Sequence, residues 1–99
     1  MIDYDLTERA VQDIASARDW YDRRRIDLGN KFLDTVLASI AAARERPTSG
    51  PEVRRGVRAV LCRRFPYRVY FEVKPDRIIV LAVYHTARDP HKWDDPQRD

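Results

Sequence analysis

With one cysteine, Cys62, the 99-residue chain has no means of closing an internal disulfide. No apolar run approaches the ~20 residues that a membrane-spanning helix needs. The first residues, Met-Ile-Asp-Tyr-Asp-Leu-Thr-Glu, lack the basic and long apolar regions of a secretory signal. A reducing cytoplasm, away from any membrane, is the expected location. The cysteine and the two histidines do not have zinc-ligand spacing, so no structural metal is expected. GxxxxGK, GxGxxG and GxSxG are all missing, and no cofactor is expected.

A further scarcity is local. Residues 53–71 contain six arginines (Arg54, Arg55, Arg58, Arg63, Arg64 and Arg68) and neither aspartate nor glutamate. Because the whole chain carries only +3, everything outside this segment is net acidic. The arginines alternate with Val57, Ala59, Leu61, Val69 and Phe71, a period-two pattern that predicts a strand pair with a basic face opposite an apolar one. Such a face suits an anionic partner, either nucleic acid or an acidic protein segment. The plainer reading is a solvated edge blunted by positive charge.

The composition, 43% hydrophobic and 35% charged, is that of a folded chain, and the length suits one domain over residues 1–99 with a modest core. Residues 2–6 alternate apolar and acidic side chains as a short half-buried strand does. Thr7 is a good N-cap for a helix with Ala10, Ile14, Ala17 and Tyr21 on one stripe, flanked by Val11 and Trp20 and closed by Arg23 to Arg25. A second helix is expected from about Asp27 to Arg46, with Leu28, Phe32, Val36, Ile40 and Ala43 in line and Leu33 and Leu37 beside them. That stripe is wider than one neighbour requires, so this helix should meet the sheet and either the first helix or a partner. Pro47 stops it.

Strands are expected at about 56–63, 67–73 and 78–85, with residues 74–77 forming a hairpin turn. Residues 78–83 are apolar at both phases and predict a central strand covered on both faces. The fold class is therefore α+β, in the order βααβββ: an antiparallel four-stranded sheet with an N-terminal helical hairpin packed on one face.

This order, together with Leu6-Thr7, Arg64-Phe65-Pro66-Tyr67-Arg68-Val69-Tyr70-Phe71, the run Ile79-Val80-Leu81-Ala82-Val83-Tyr84-His85, then Arg88-Asp89-Pro90 and Trp93, resembles the RelE/ParE superfamily of toxins from bacterial type II toxin–antitoxin modules. The resemblance implies a growth-inhibitory protein neutralised by an antitoxin encoded beside it, ParD-like or RelB-like, which also carries contact with operator DNA. Two targets follow from the two branches: DNA gyrase for ParE-like members, and messenger RNA on the ribosome for RelE-like ones. On the RelE pattern, Arg68 and Arg88 fall at the catalytic arginines and Trp93 replaces a tyrosine. An indole has no ionisable phenol and arginines are poor proton shuttles, so His85 or His91 would have to serve as acid or base. The end of the last strand is closer to ParE-like members, which need no catalytic set. A degenerate member that only binds antitoxin and modulates autorepression is a further alternative.

The expected target surface consists of the six arginines with Arg88 and Trp93, while His91 and Lys92 add tail cations and Asp94, Asp95 and Asp99 form an acidic fringe. Leu33, Leu37, Trp20 and Tyr21 are the expected antitoxin contacts. Plainer roles are a structural histidine for His85, a core lid for Trp93 and a small buried apolar residue for Cys62.

Overall fold

A computed structural model describes residues 1–88. Strand β1 (Asp3–Leu6) ends at Thr7, whose hydroxyl accepts the Ala10 N–H at 3.0 Å and caps helix α1 (Glu8–Arg24). Arg23 and Arg24 occupy the last turn, where the helix dipole favours cations. Helix α2 (Leu28–Glu45) follows a short connection in which Asp27 takes a left-handed φ of 70°. The helices are in tight contact at Gly29. Its N–H donates to Asp22 Oδ1 at 2.8 Å, and a Cβ there would stand 2.5 Å from that oxygen and from the Arg18 carbonyl. Only glycine fits without displacing backbone.

The sheet contains β2 (Glu52–Arg54), β3 (Val57–Leu61), β4 (Tyr67–Val73) and β5 (Arg77–His85), in the order β1-β5-β4-β3-β2. The α+β class and the helical hairpin are as expected, but the sheet has five strands and is mixed, because β1 runs parallel to β5. Two physical causes account for the difference. Gly56, with φ 77°, lets the chain reverse after Arg55 and adds β2 as a short antiparallel neighbour of β3. Alternation in a four-residue strand marks which side is buried, and says nothing of the direction of the strand beside it.

The middle strand is β4, with β5 next to it rather than at the centre. β5 is apolar at both phases because of a bulge. Tyr70 pairs with Ala82 and Phe71 with Val80, leaving Leu81 as the extra residue. The bulge switches the side-chain phase, so Ile78, Val80 and Val83 all join Val69 and Phe71 in the core beneath the helices, with Phe32, Val36 and Ile40 above them. Ala82 and Tyr84 turn to the other face and meet Tyr70 and Val57 in a second, smaller cluster.

The register between β3 and β4 corrects the expected basic face. Val60 pairs with Val69 and Arg58 with Phe71, whereas Ala59 pairs with Tyr70 and Leu61 with Arg68. Directly paired residues project to the same side of an antiparallel sheet. Val57, Ala59 and Leu61 therefore share a face with Arg68, and Arg58 lies on the helix side, where its guanidinium donates to the Gly50 carbonyl. Arg55 sits in the β2–β3 turn, and Arg63 and Arg64 lie in the loop after β3. The six arginines do not form one face. Loop length sets the parity across a strand pair, and neither strand's own period contains it.

Replacing Gly29 with alanine should force the helices apart and lower stability by roughly 1–3 kcal/mol. Urea unfolding of the variant checks this, and an unchanged midpoint would contradict the close approach.

Candidate functional site

Where β1 stops, β5 continues, and its edge beyond Val80 must find other partners. Helix α1 supplies them. The Thr7 N–H donates to the Val80 carbonyl at 3.0 Å, the Thr7 hydroxyl donates to the carbonyl of the bulged Leu81 at 3.0 Å, and Asp13 Oδ2 accepts the Val83 N–H at 2.9 Å. This contact holds the polar flank of α1 beside the end of β5 and opens a cleft of about 480 Å³ between them. Asp13, Ser16 and Trp20 line it from α1, Tyr67 from β4, and Tyr84, His85 and Arg88 from β5 and the segment after it.

Burial pushes the Asp13 carboxyl above its ordinary value of 3.8, against the opposing pull of the Val83 N–H and of Arg9 and Arg88. Arg88 stacks 4.0 Å from the centre of the Tyr84 ring, and Arg9 lies 5.4 Å from it. Burial raises the Tyr84 phenol, while Arg9 and Arg88 pull it down. The phenols of Tyr21 and Tyr67 are also raised, chiefly by burial. All three stay protonated at neutral pH and cannot act there as bases. His85 Nδ1 accepts the Ala87 N–H at 3.0 Å, so the neutral ring carries its proton on Nε2. The ring stands edge-on to Tyr67 at 5.3 Å.

The structure divides the residues expected to form a ribonuclease set. His85 pairs with Tyr67, and Tyr67 packs against the core beneath the helices. Arg68 pairs with Tyr84 on the opposite face. Arg88 joins Arg68 around Tyr84, and so does Arg9, which the sequence reading did not single out. Arg9 and Asp13 are four residues apart on the polar flank of α1, a spacing shared with any solvated ion pair. The contact between Asp13 and Val83 spans 70 residues and leaves no local signal.

The expected antitoxin contacts fall in two places. Trp20 and Tyr21 border the cleft, with Arg24 stacked 3.9 Å from the Trp20 ring. Leu33 packs against the core and Leu37 is 43% exposed on α2, neither of them in the cleft. Cys62 is buried beside Ser39, and burial raises its thiol, leaving it unreactive. Trp93, His91, Lys92 and the acidic fringe lie outside the described residues. Among the described residues, no helix is long and apolar enough to cross a membrane.

Asp13→Ala should leave the Val83 N–H without an acceptor and cost roughly 1–3 kcal/mol, whereas Asp13→Asn retains one. Because the folded state holds the Asp13 proton more tightly than the unfolded chain, the carboxyl favours folding most at low pH. That contribution declines as pH rises from below 3.8 through the higher folded value. The stability of the wild type relative to Asp13→Asn should fall across this window in urea titrations, and a rising difference would contradict the assignment.

The family model for the ParE toxin of type II toxin–antitoxin systems, parDE, matches residues 4–90. The chain is similar in fold to the chromosomal ParDE toxin–antitoxin system from P. aeruginosa, with a TM-score of 0.69 and 21% identity, covering 86% of this chain and 96% of that one. It is also similar to the isolated E. coli RelE toxin, with a TM-score of 0.51 and 13% identity, covering 99% and 98% respectively. No curated protein matches it significantly.

Proposed function

Because the chain belongs to the ParE toxin family, we propose that it is the growth-inhibiting toxin of a type II toxin–antitoxin module, that it binds and stalls DNA gyrase, and that a ParD-like antitoxin neutralises it. Contact with operator DNA then passes through the antitoxin. One observation carries the choice of target. Phosphodiester cleavage needs cations and a proton carrier converging on one phosphate, yet Arg68 leaves the sheet on the face opposite His85, so of the two expected arginines only Arg88 shares a cleft with the histidine. The raised tyrosines supply no base, and one oxygen of Asp13 is engaged by Val83. What remains is a cationic cluster of Arg9, Arg68 and Arg88 around Tyr84, beside an aromatic cleft, and this arrangement suits recognition of an acidic protein surface.

Expression without antitoxin should cause filamentation and a DNA-damage response. Immediate arrest of translation with messenger RNA cut inside codons would favour the ribonuclease instead, and harmless expression would favour a degenerate member. Arg68→Ala should weaken target binding roughly tenfold while leaving the fold intact, read as growth arrest at matched expression alongside circular dichroism. Equal toxicity would remove Arg68 from the interface.

A further inference from the structure

A second concavity lies on the other side of the molecule, where the loop after β3 passes α2. Its cationic end, about 250 Å³, is lined by Arg25 from the helix connection, Lys31 from the first turn of α2 and Arg64 from the loop, together with Thr35 and the nearly buried Phe65. No carboxylate borders this end. Arg23 and Arg77 pair with aspartates, but Arg25, Lys31 and Arg64 make no ion pair among the described residues. Arg64 is held at φ 68°, a left-handed conformation that a side chain disfavours.

Thr35 and Arg64 also border a trough of about 450 Å³ that continues along α2. Its floor is small and apolar, with Ala38, Ala42 and Val60, and Leu61 at its margin is 57% exposed. Asp34 is the one acid along it. Lys31, Thr35, Ala38 and Ala42 follow helical spacing and together run roughly 16 Å along the axis. This flank is not the one that carries Leu37. Leu37 lies two turns from Arg44, which reaches across to the Ile2 carbonyl at 2.6 Å on the β1 side of α2.

We propose that this trough is the seat of an acidic, apolar-anchored helical segment of the antitoxin, with its carboxylates held by Arg25, Lys31 and Arg64 and its apolar side chains laid against Ala38, Ala42, Val60 and Leu61. The inference rests on the toxin–antitoxin reading and adds the location and chemistry of the contact. Three unpaired cations at one end fix the charge of the occupant, and the small floor admits the close approach of a helix. Nucleic acid fits less well. Beyond Arg63 and Arg64 the apolar half offers a phosphate backbone no cation, and Phe65, at 8% exposure, gives bases no ring to stack on.

The test measures the affinity of purified toxin variants for the antitoxin encoded beside the gene. Lys31→Glu combined with Arg64→Glu should weaken binding at least thirtyfold and Leu61→Asp about tenfold, an expectation for truncating charged and apolar anchors. Leu37→Asp should leave affinity within threefold of wild type. Arg64→Gly removes a cation and relieves the left-handed strain, so it should weaken binding while melting no lower than wild type. Growth arrest by each variant without antitoxin should persist. Charge reversal that leaves antitoxin affinity unchanged overturns the inference while the toxin–antitoxin reading stands, as does weakening by Leu37→Asp alone. Loss of binding to a 20-base-pair duplex in place of antitoxin would assign the trough to nucleic acid. A wild-type protein that captures no antitoxin at all overturns both.

Discussion

Thr7 is where a strand becomes a helix, and one side chain serves both. Its hydroxyl accepts from Ala10 to begin α1 and donates to the Leu81 carbonyl, while its N–H closes the last backbone bond to β5 at Val80. The bulge at Leu81 turns that carbonyl towards the helix and reverses the phase of β5, placing both Val80 and Val83 in the core. Six residues later Asp13 accepts the Val83 N–H. An exposed strand edge would otherwise present unpaired groups, and here the first two turns of α1 satisfy it. The helical hairpin, the cleft and the approach of Arg9 to Tyr84 all follow from that docking.

The same docking decides what chemistry is available. It draws Asp13 into a site where burial raises its carboxyl and the Val83 N–H engages one oxygen, and it sets two arginines against Tyr84. The strand register then carries Arg68 to the Tyr84 side and His85 to the other. Of the two arginines expected at a catalytic centre, only Arg88 lines the cleft that His85 borders, and Arg68 lies on the other face of the sheet from His85. Among the described residues, Arg25, Lys31 and Arg64 make no ion pair and border a separate concavity beside α2.

Much of the fold was legible because local chemistry encodes it. Thr7 capped the first helix as its side chain predicts, Pro47 follows the second, and the apolar stripes of Ile14 and Phe32 faced the core. Pairing between distant segments was not legible. The parity between β3 and β4 depends on loop length, the parallel direction of β1 depends on where β5 returns, and the bulge at Leu81 made a strand apolar at both phases look doubly covered. The basic segment was real as composition and misleading as a surface, since Arg58 and Arg68 occupy opposite faces. Arg9 and Asp13 gain their significance only from contacts more than 60 residues away in sequence.

The most direct measurement titrates purified toxin into a supercoiling assay with a fixed amount of DNA gyrase, in parallel with translating ribosomes. Inhibition by binding predicts loss of supercoiling that saturates once toxin matches gyrase in concentration, with ribosome-bound messenger RNA left intact. Full supercoiling at large toxin excess, together with messenger RNA cut by substoichiometric toxin, would contradict it.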